Sequence, residues 1–286
     1  AKKSRGPLIK TARYIGNKWG GKYLRAPDIL TTRVLPKLRP LRFFARIEGY
    51  IHGNNVGPRF PRVHFVDSID SLSTIHLAEN SHGVLLFGVK SAGNSRQLAD
   101  LLYPRMVGAR FFVPIVCGRV YGQKFYKIIL RDKRYKAVIG AFCNSTVAVG
   151  LNELIGNVPW GLGAISANGP DVAQFPVIDP TRLTPQTIWR LNDAFERLLR
   201  RPCRSIFEEM GFPVCANQHC EHQNHPYEYV TNTGPIVDQV QRASPDRYAL
   251  DEVVFDVLGL TAGEREAVYE AVVALVRARL DKAQSA

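Results

Sequence analysis

The sequence predicts an α+β fold, with a twisted, mainly antiparallel sheet followed by a helical C-terminal part. Three observations point to it. Between residues 42 and 130, segments rich in Val, Ile, Phe and Tyr alternate with turns containing Gly and Asn, and most gaps are too short for the crossover helix that a parallel pair requires. From Lys133 the apolar period lengthens from two toward three or four. After residue 244 the helical start and stop signals are the cleanest in the chain.

Strands are expected at 42–51, 62–67, 83–90, 110–117 and 124–130. Alternation is clearest in Arg62-Val63-His64-Phe65-Val66. Gly53-Asn54-Asn55, Gly57-Pro58, Ala92-Gly93-Asn94, Gly118 and Gly122 mark the turns between them. A short helix is expected at 95–102. Tyr135, Val138, Ile139, Phe142 and Thr146 suggest one helix running from Lys133 to about Ile155. Residues 161–169 read as a glycine-rich loop, and 172–178 as a strand ended by Asp179-Pro180. Thr184 caps a helix with Pro185 in its first turn, and Ile188, Leu191, Phe195, Leu198 and Leu199 form its apolar stripe. Ser244-Pro245 starts another helix that Gly259 stops, and Thr261 with Glu264 forms a capping box for the last.

The charge is uneven. Residues 1–46 hold thirteen Lys and Arg against the single acid Asp28, a balance of +12 that nearly equals the +13 of all 286 residues. A segment this one-sided repels itself unless a polyanion neutralises it, and nucleic acid is the commonest such partner. A solvated basic tail is the alternative, against which Tyr14, Trp19, Tyr23, Phe43 and Phe44 argue, since disordered segments are poor in aromatics. Residues 90–136 carry eleven basic residues and two acids, whereas 205–286 carry thirteen acids and six basic residues. The chain thus has a basic front and an acidic back.

A content of 45% hydrophobic residues supports a real core, and the length allows one large or two modest domains. No run of about twenty apolar residues exists, so no membrane association is expected. The basic N-terminal stretch lacks the apolar segment of a secretory signal. Five scattered cysteines do not suggest a disulfide framework, so a cytoplasmic location is expected.

Loops of the expected sheet combine cations with Gly and amide side chains. Candidate DNA contacts are Asn54 and Asn55 with Arg59 and Arg62, Lys90 with Asn94 and Arg96, and Arg119 with Gln123 and Lys124. Arg reads guanine, Asn and Gln read adenine, and Gly lets backbone approach phosphate. Any loop of a basic protein shares part of this character. Lys18, Lys22 and Arg25 are candidate phosphate contacts in the front segment. Cys215, Cys220, His222 and His225 could hold zinc, although zinc sites commonly use closer cysteines and His219 competes as a ligand. An incidental cluster of Cys and His is the alternative. No nucleophile elbow, Walker loop or zincin motif is present. Asp67, Asp70 and Glu79 near Lys90 only loosely suggest a metal-dependent nuclease.

Several segments resemble, in order, the region after the catalytic domain in N6-adenine DNA methyltransferases of restriction–modification systems, as in combined type IIG polypeptides. They are residues 22–29 (Lys-Tyr-Leu-Arg-Ala-Pro-Asp-Ile), 47–55, 142–146 (Phe-Cys-Asn-Ser-Thr), 175–180 (Phe-Pro-Val-Ile-Asp-Pro) and 250–260, the most specific. The resemblance implies a target recognition region that binds duplex DNA sequence-specifically and presents an adenine to a methyltransferase. That family's catalytic Asn-Pro-Pro-Tyr/Phe and its glycine-rich loop for S-adenosylmethionine are absent here. The methyltransferase domain, and S-adenosylmethionine with it, would therefore lie elsewhere in the polypeptide or on a separate chain. The expected organisation is a basic junction at 1–40, a recognition domain at 41–180, and a helical region at 181–286 with a Cys/His loop at 213–230. A rival reading is a protein-interaction module of a DNA-defence complex, docking its acidic C-terminal helices on a partner.

Overall fold

The computed structural model describes residues 28–49, 55–90, 98–158, 163–212 and 243–284. After helical turns at Ile29–Val34 and Leu35–Lys37 come ten short strands: β1 (Leu38–Pro40), β2 (Ala45–Glu48), β3 (Arg62–Val66), β4 (His76–Ala78), β5 (Leu85–Gly88), β6 (Leu101–Pro104), β7 (Met106–Val107), β8 (Ile115–Cys117), β9 (Val120–Gly122) and β10 (Phe125–Leu130). Helices α1 (Lys136–Cys143) and α2 (Thr146–Ile155) follow, then β11 (Ile165–Ser166), α3 (Gly169–Gln174) and β12 (Pro176–Ile178). The remaining described elements include α4 (Pro185–Leu199), α5 (Ile206–Glu209), α6 (Pro245–Leu258) and α7 (Ala262–Gln284). The expected α+β class is what is found.

The main sheet has the order β2-β10-β6-β8-β4, antiparallel except between β8 and β4. The interior strand β10 is buried at every position but Lys127, as expected of a strand covered on both faces. Lys127 reaches Glu48 on β2 at 2.6 Å. A smaller sheet, β5-β3-β9, stands beside it, and β1–β12 and β7–β11 form two-stranded pairs. The parallel partners β3–β9 and β4–β8 are far apart in sequence, so no crossover helix between successive strands is needed. One hydrophobic cluster runs from Val34 through the sheet and α1–α2 to Leu280.

Four local expectations are corrected. Of the segment 42–51, the described residues form a strand at Ala45–Glu48, after a tight turn at Leu41–Phe43. Leu101 and Leu102 belong to β6 rather than to a helix, because they pair with Ile128 and Lys127 of β10. Residues 169–174 are helical: Pro170 suits a first turn, and the Asp171 carboxylate accepts from the Asn168 backbone N–H at 2.9 Å. Only Pro176–Ile178 of that segment is a strand.

The fourth correction concerns 133–155. The expected single helix breaks at Asn144-Ser145, and its halves are bent by 80°. Asn144 causes the break by bonding in two directions. Its amide nitrogen donates to the Gly140 and Val113 carbonyls, and its Oδ1 accepts from the Val113 N–H. Val113 thus pairs with a side chain where a strand would otherwise serve. Ser145 turns extended and caps α2 by accepting from the Ala148 N–H at 3.3 Å. Asp251 on α6 accepts from the Thr146 N–H at 2.8 Å and its hydroxyl at 2.6 Å. Arg247, one turn earlier, donates to the Asn144 carbonyl. The segments 142–146 and 250–260, singled out in sequence, therefore meet in space. Segment 175–180 is a joint as well: β12 pairs with β1, and the Phe175 carbonyl accepts from the Leu41 N–H at 2.8 Å.

The caps expected on the later helices are present. Thr184 accepts from the Thr187 N–H, Gly259 adopts a left-handed conformation at the end of α6, and Thr261 and Glu264 close their box. The basic front also docks on the acidic back. Arg33 pairs with Glu264 at 3.1 Å, and the Lys37 ammonium donates to the Leu258 carbonyl at the C-terminal end of α6. A cation there also meets the negative end of the helix dipole. Among the described residues, no single helix is long and apolar enough to cross a membrane.

Candidate nucleic-acid interface

Two loops converge at the start of β3. Arg62, its first residue, lies opposite Gly88 of β5. The Gly57 N–H donates to the Gly88 carbonyl at 2.9 Å, Val89 N–H to Pro61 at 3.0 Å, and Lys90 N–H to Asn55 at 2.9 Å. This backbone ladder zips residues 55–62 to 88–90. Gly88 permits it, since a Cβ there would lie 2.0 Å from the Gly57 carbonyl oxygen. The result holds Asn55, Arg59, Arg62 and Lys90 at one end of the small sheet. Arg59, Arg62 and Lys90 are exposed, and the Arg59 guanidinium lies 4.8 Å from the centre of the Phe60 ring. Among the described residues none of these three cations pairs with a carboxylate.

Gln123 and Lys124 sit at the opposite end. Their backbone N–H groups donate to Val66 and Asp67, just past the end of β3. Five residues of extended chain separate the two ends, roughly 17 Å. Lys124 is further committed to Asp67, at 2.8 Å. Arg119 lies next to Val120, whose partner is His64, and so toward the Arg62 end. Its side chain is exposed, while its N–H donates to Glu79. Gly118, in the left-handed region at φ +122°, makes the tight approach to Glu79 possible. The structure thus brings together Asn55, Arg59, Arg62 and Lys90, with Arg119 nearby, and separates Gln123 and Lys124 from them. Lys18, Lys22, Arg25, Asn54, Asn94 and Arg96 lie outside the described residues, as do Cys215, Cys220, His222 and His225.

The acids considered for nuclease chemistry are dispersed in role. Asp67 neutralises Lys124, and Glu79 caps the Arg119 backbone and approaches His64 at 3.5 Å. Asp70 offers its carbonyl to Arg110. Among the described residues no three His, Cys, Asp or Glu side chains group as metal ligands.

Two features escaped sequence reasoning. One is a second basic region where the front and middle charge runs meet: β2 pairs with β10, and the Arg131 guanidinium reaches the Arg42 carbonyl. Arg42, Arg46, Arg131, Lys133 and Arg134 are exposed there, but Glu48, Asp100 and Asp132 balance Arg46, Lys133 and Arg134. The other is the apolar run Leu85-Leu86-Phe87 on β5, exposed by 65%, 61% and 39%. Its signal was three successive apolar residues without alternation, which sequence reads as a buried strand.

No protein-family model and no curated protein matches the chain. Among solved structures, it is similar to the type IIG restriction endonuclease BpuSI, with a TM-score of 0.52 at 10% sequence identity. The chain shares its fold with part of that endonuclease. The match covers 85% of this chain and 34% of the endonuclease, so the chain spans about a third of that protein's length.

Proposed function

We propose that this chain is the target recognition and C-terminal region of a type IIG-like restriction–modification enzyme. It binds duplex DNA sequence-specifically and presents the target adenine to an N6-adenine methyltransferase domain outside these residues. The observation that carries the reading is the fold shared with a type IIG restriction endonuclease over most of the chain. The cations zipped together at the Arg62 end of the small sheet support it independently, because among the described residues no carboxylate pairs with them. In this reading Arg59, Arg62 and Lys90 contact phosphates or guanine edges, and the Asn55 amide reads an adenine edge. A good bidentate contact discriminates against the wrong base by about 1–3 kcal/mol. Flipping the adenine costs a few kcal/mol, which these contacts help to offset.

Zinc at Cys215, Cys220, His222 and His225 belongs to the same proposal, since two thiolates and two imidazoles are a zinc donor set. So does a cytoplasmic location, where DNA and reduced thiols coexist. Selection of duplexes from a random pool by the purified chain tests the central claim. A common sequence should emerge, and binding should weaken steeply with salt. Recovery of no preferred sequence would remove specific recognition, and a flat salt response would remove the phosphate contacts. Metal analysis of the same sample decides the zinc claim.

A further inference from the structure

Among the described residues strand β5 is an edge over Leu85–Phe87: it pairs with β3 on one side, and on the other only Gly88 is taken, by the Gly57 N–H. Edge strands usually carry charge, proline or a bulge that discourages pairing. This one reads Leu85-Leu86-Phe87, and neighbouring side chains along a strand point to opposite faces, so water meets apolar groups on both. Single exposed leucines require no explanation, but a contiguous run at an edge marks an interaction surface.

The charge beside the run identifies its occupant. Arg62 lies opposite Gly88, Lys90 follows two residues later, and Arg59 stacks on Phe60 in the zipped loop. On the other side His64 lies opposite Leu86, with Glu79 at 3.5 Å; that carboxylate also accepts from the Arg119 N–H. The balance is cationic. A second copy paired along this edge would bring two such cationic sets together. A polyanion would be drawn to it. Leu86 lies about 7 Å along the strand from Gly88 and about 13 Å from Lys90, comparable to the width of one DNA groove. Apolar side chains beside cations at that spacing are the arrangement by which proteins part stacked bases.

Building on the target-recognition reading, we propose that Leu85–Phe87 is an apolar wedge that enters a DNA groove and unstacks one base step, while Arg59, Arg62 and Lys90 hold the flanking phosphates. The wedge loosens the stack around the base to be presented and opens the groove it enters.

The test uses the full chain and a duplex selected by its own binding, with 2-aminopurine placed at each adenine in turn. Binding should raise fluorescence at one step. The double variant Leu85→Ser/Leu86→Ser should fold normally, since both side chains are mostly in water. It should bind about tenfold more weakly, keep the salt dependence of the unaltered chain, and lose the fluorescence rise. Unchanged affinity and fluorescence in that variant overturn the wedge. If sedimentation then shows the unaltered chain to be a dimer and the variant a monomer, the edge joins two copies. Loss of binding in Arg59→Ala/Arg62→Ala/Lys90→Ala, beside full binding in the leucine variant, leaves recognition standing without the wedge. Failure of the unaltered chain to bind any duplex at low salt removes both.

Discussion

Arg279 is among the most deeply buried side chains, and it shows how polar groups are used inside this fold. Its guanidinium makes a two-pronged contact with Glu153 at 2.8 Å and donates to the carbonyls of Gly108 and Gly163. Removing one member of such a pair strands the other charge in the core. Arg279→Met should therefore cost about 3–5 kcal/mol in urea unfolding, and adding Glu153→Leu should recover much of the loss. A second residue-scale expectation concerns acid. Burial pushes the Asp246 carboxyl up, but bonds and charge from Arg201 more than reverse this, so its folded pKa lies below the ordinary range. Its stabilising contribution is complete above that range and is lost as pH falls through the lowered value. Asp251 is opposite in sign: burial outweighs the Arg247 charge and the Thr146 bonds, and its pKa is raised. It works against stability as pH rises through the ordinary range toward that raised value. Replacing Arg201 by Gln should flatten the acid limb of a plot of unfolding midpoint against pH, whereas Asp251→Asn, which removes an opposing titration, should steepen it. Little of this was legible in the sequence. Partners such as Arg279 and Glu153 are 126 positions apart, and no local pattern announces them.

Among the elements, those with local punctuation were legible and those made by distant pairing were not. Thr184-Pro185, Gly259 and the Thr261–Glu264 box each satisfy backbone groups within a few residues, so the helices they bound could be read directly. Strands β4 and β6 owe their existence to pairing with β8 and β10; both partners lie within expected strands, but which distant segments pair with them is not written in any local pattern. The corner at Asn144-Ser145 was hidden for a different reason. Both flanking helices are apolar almost all round, so the helical period runs through the break unaltered. The zipped loops at the Arg62 end depend on one glycine. Gly88→Ala should force the Gly57 carbonyl away and unzip residues 55–62 from 88–90. Faster amide exchange at Gly57, Val89 and Lys90, with weaker DNA binding and a small change in global stability, is the expected result. Exchange unchanged at those three amides would contradict the account of the zipper.

For the molecule as a whole, the charge asymmetry of the sequence is partly spent internally. Arg33 and Lys37 from the basic front are bound to the acidic back, and Arg190 and Arg265 both hold Asp256. The excess left for a polyanion at the small sheet is local: Arg59, Arg62 and Lys90. Each phosphate contact contributes about 0.9 to the slope of log affinity against log salt. The triple alanine variant should therefore lower that slope by roughly 2.7 if all three touch phosphates. A decrease near zero, with affinity lost equally at every salt concentration, would assign them to bases instead. Composition showed the sign of the charge, and loop chemistry singled out residues of which the fold gathers Arg59, Arg62 and Lys90 at one end of β3. Sequence could not separate Lys124, pinned by Asp67, from Lys90, because that difference depends on which end of β3 each loop reaches. The clasp of Arg33 and Lys37 on α6 and α7 has a mechanical consequence. Tension applied to the chain at residue 28 would load those two contacts before any strand. A pull at residue 28 would therefore be borne by α6 and α7 before it reached the loops at Arg62.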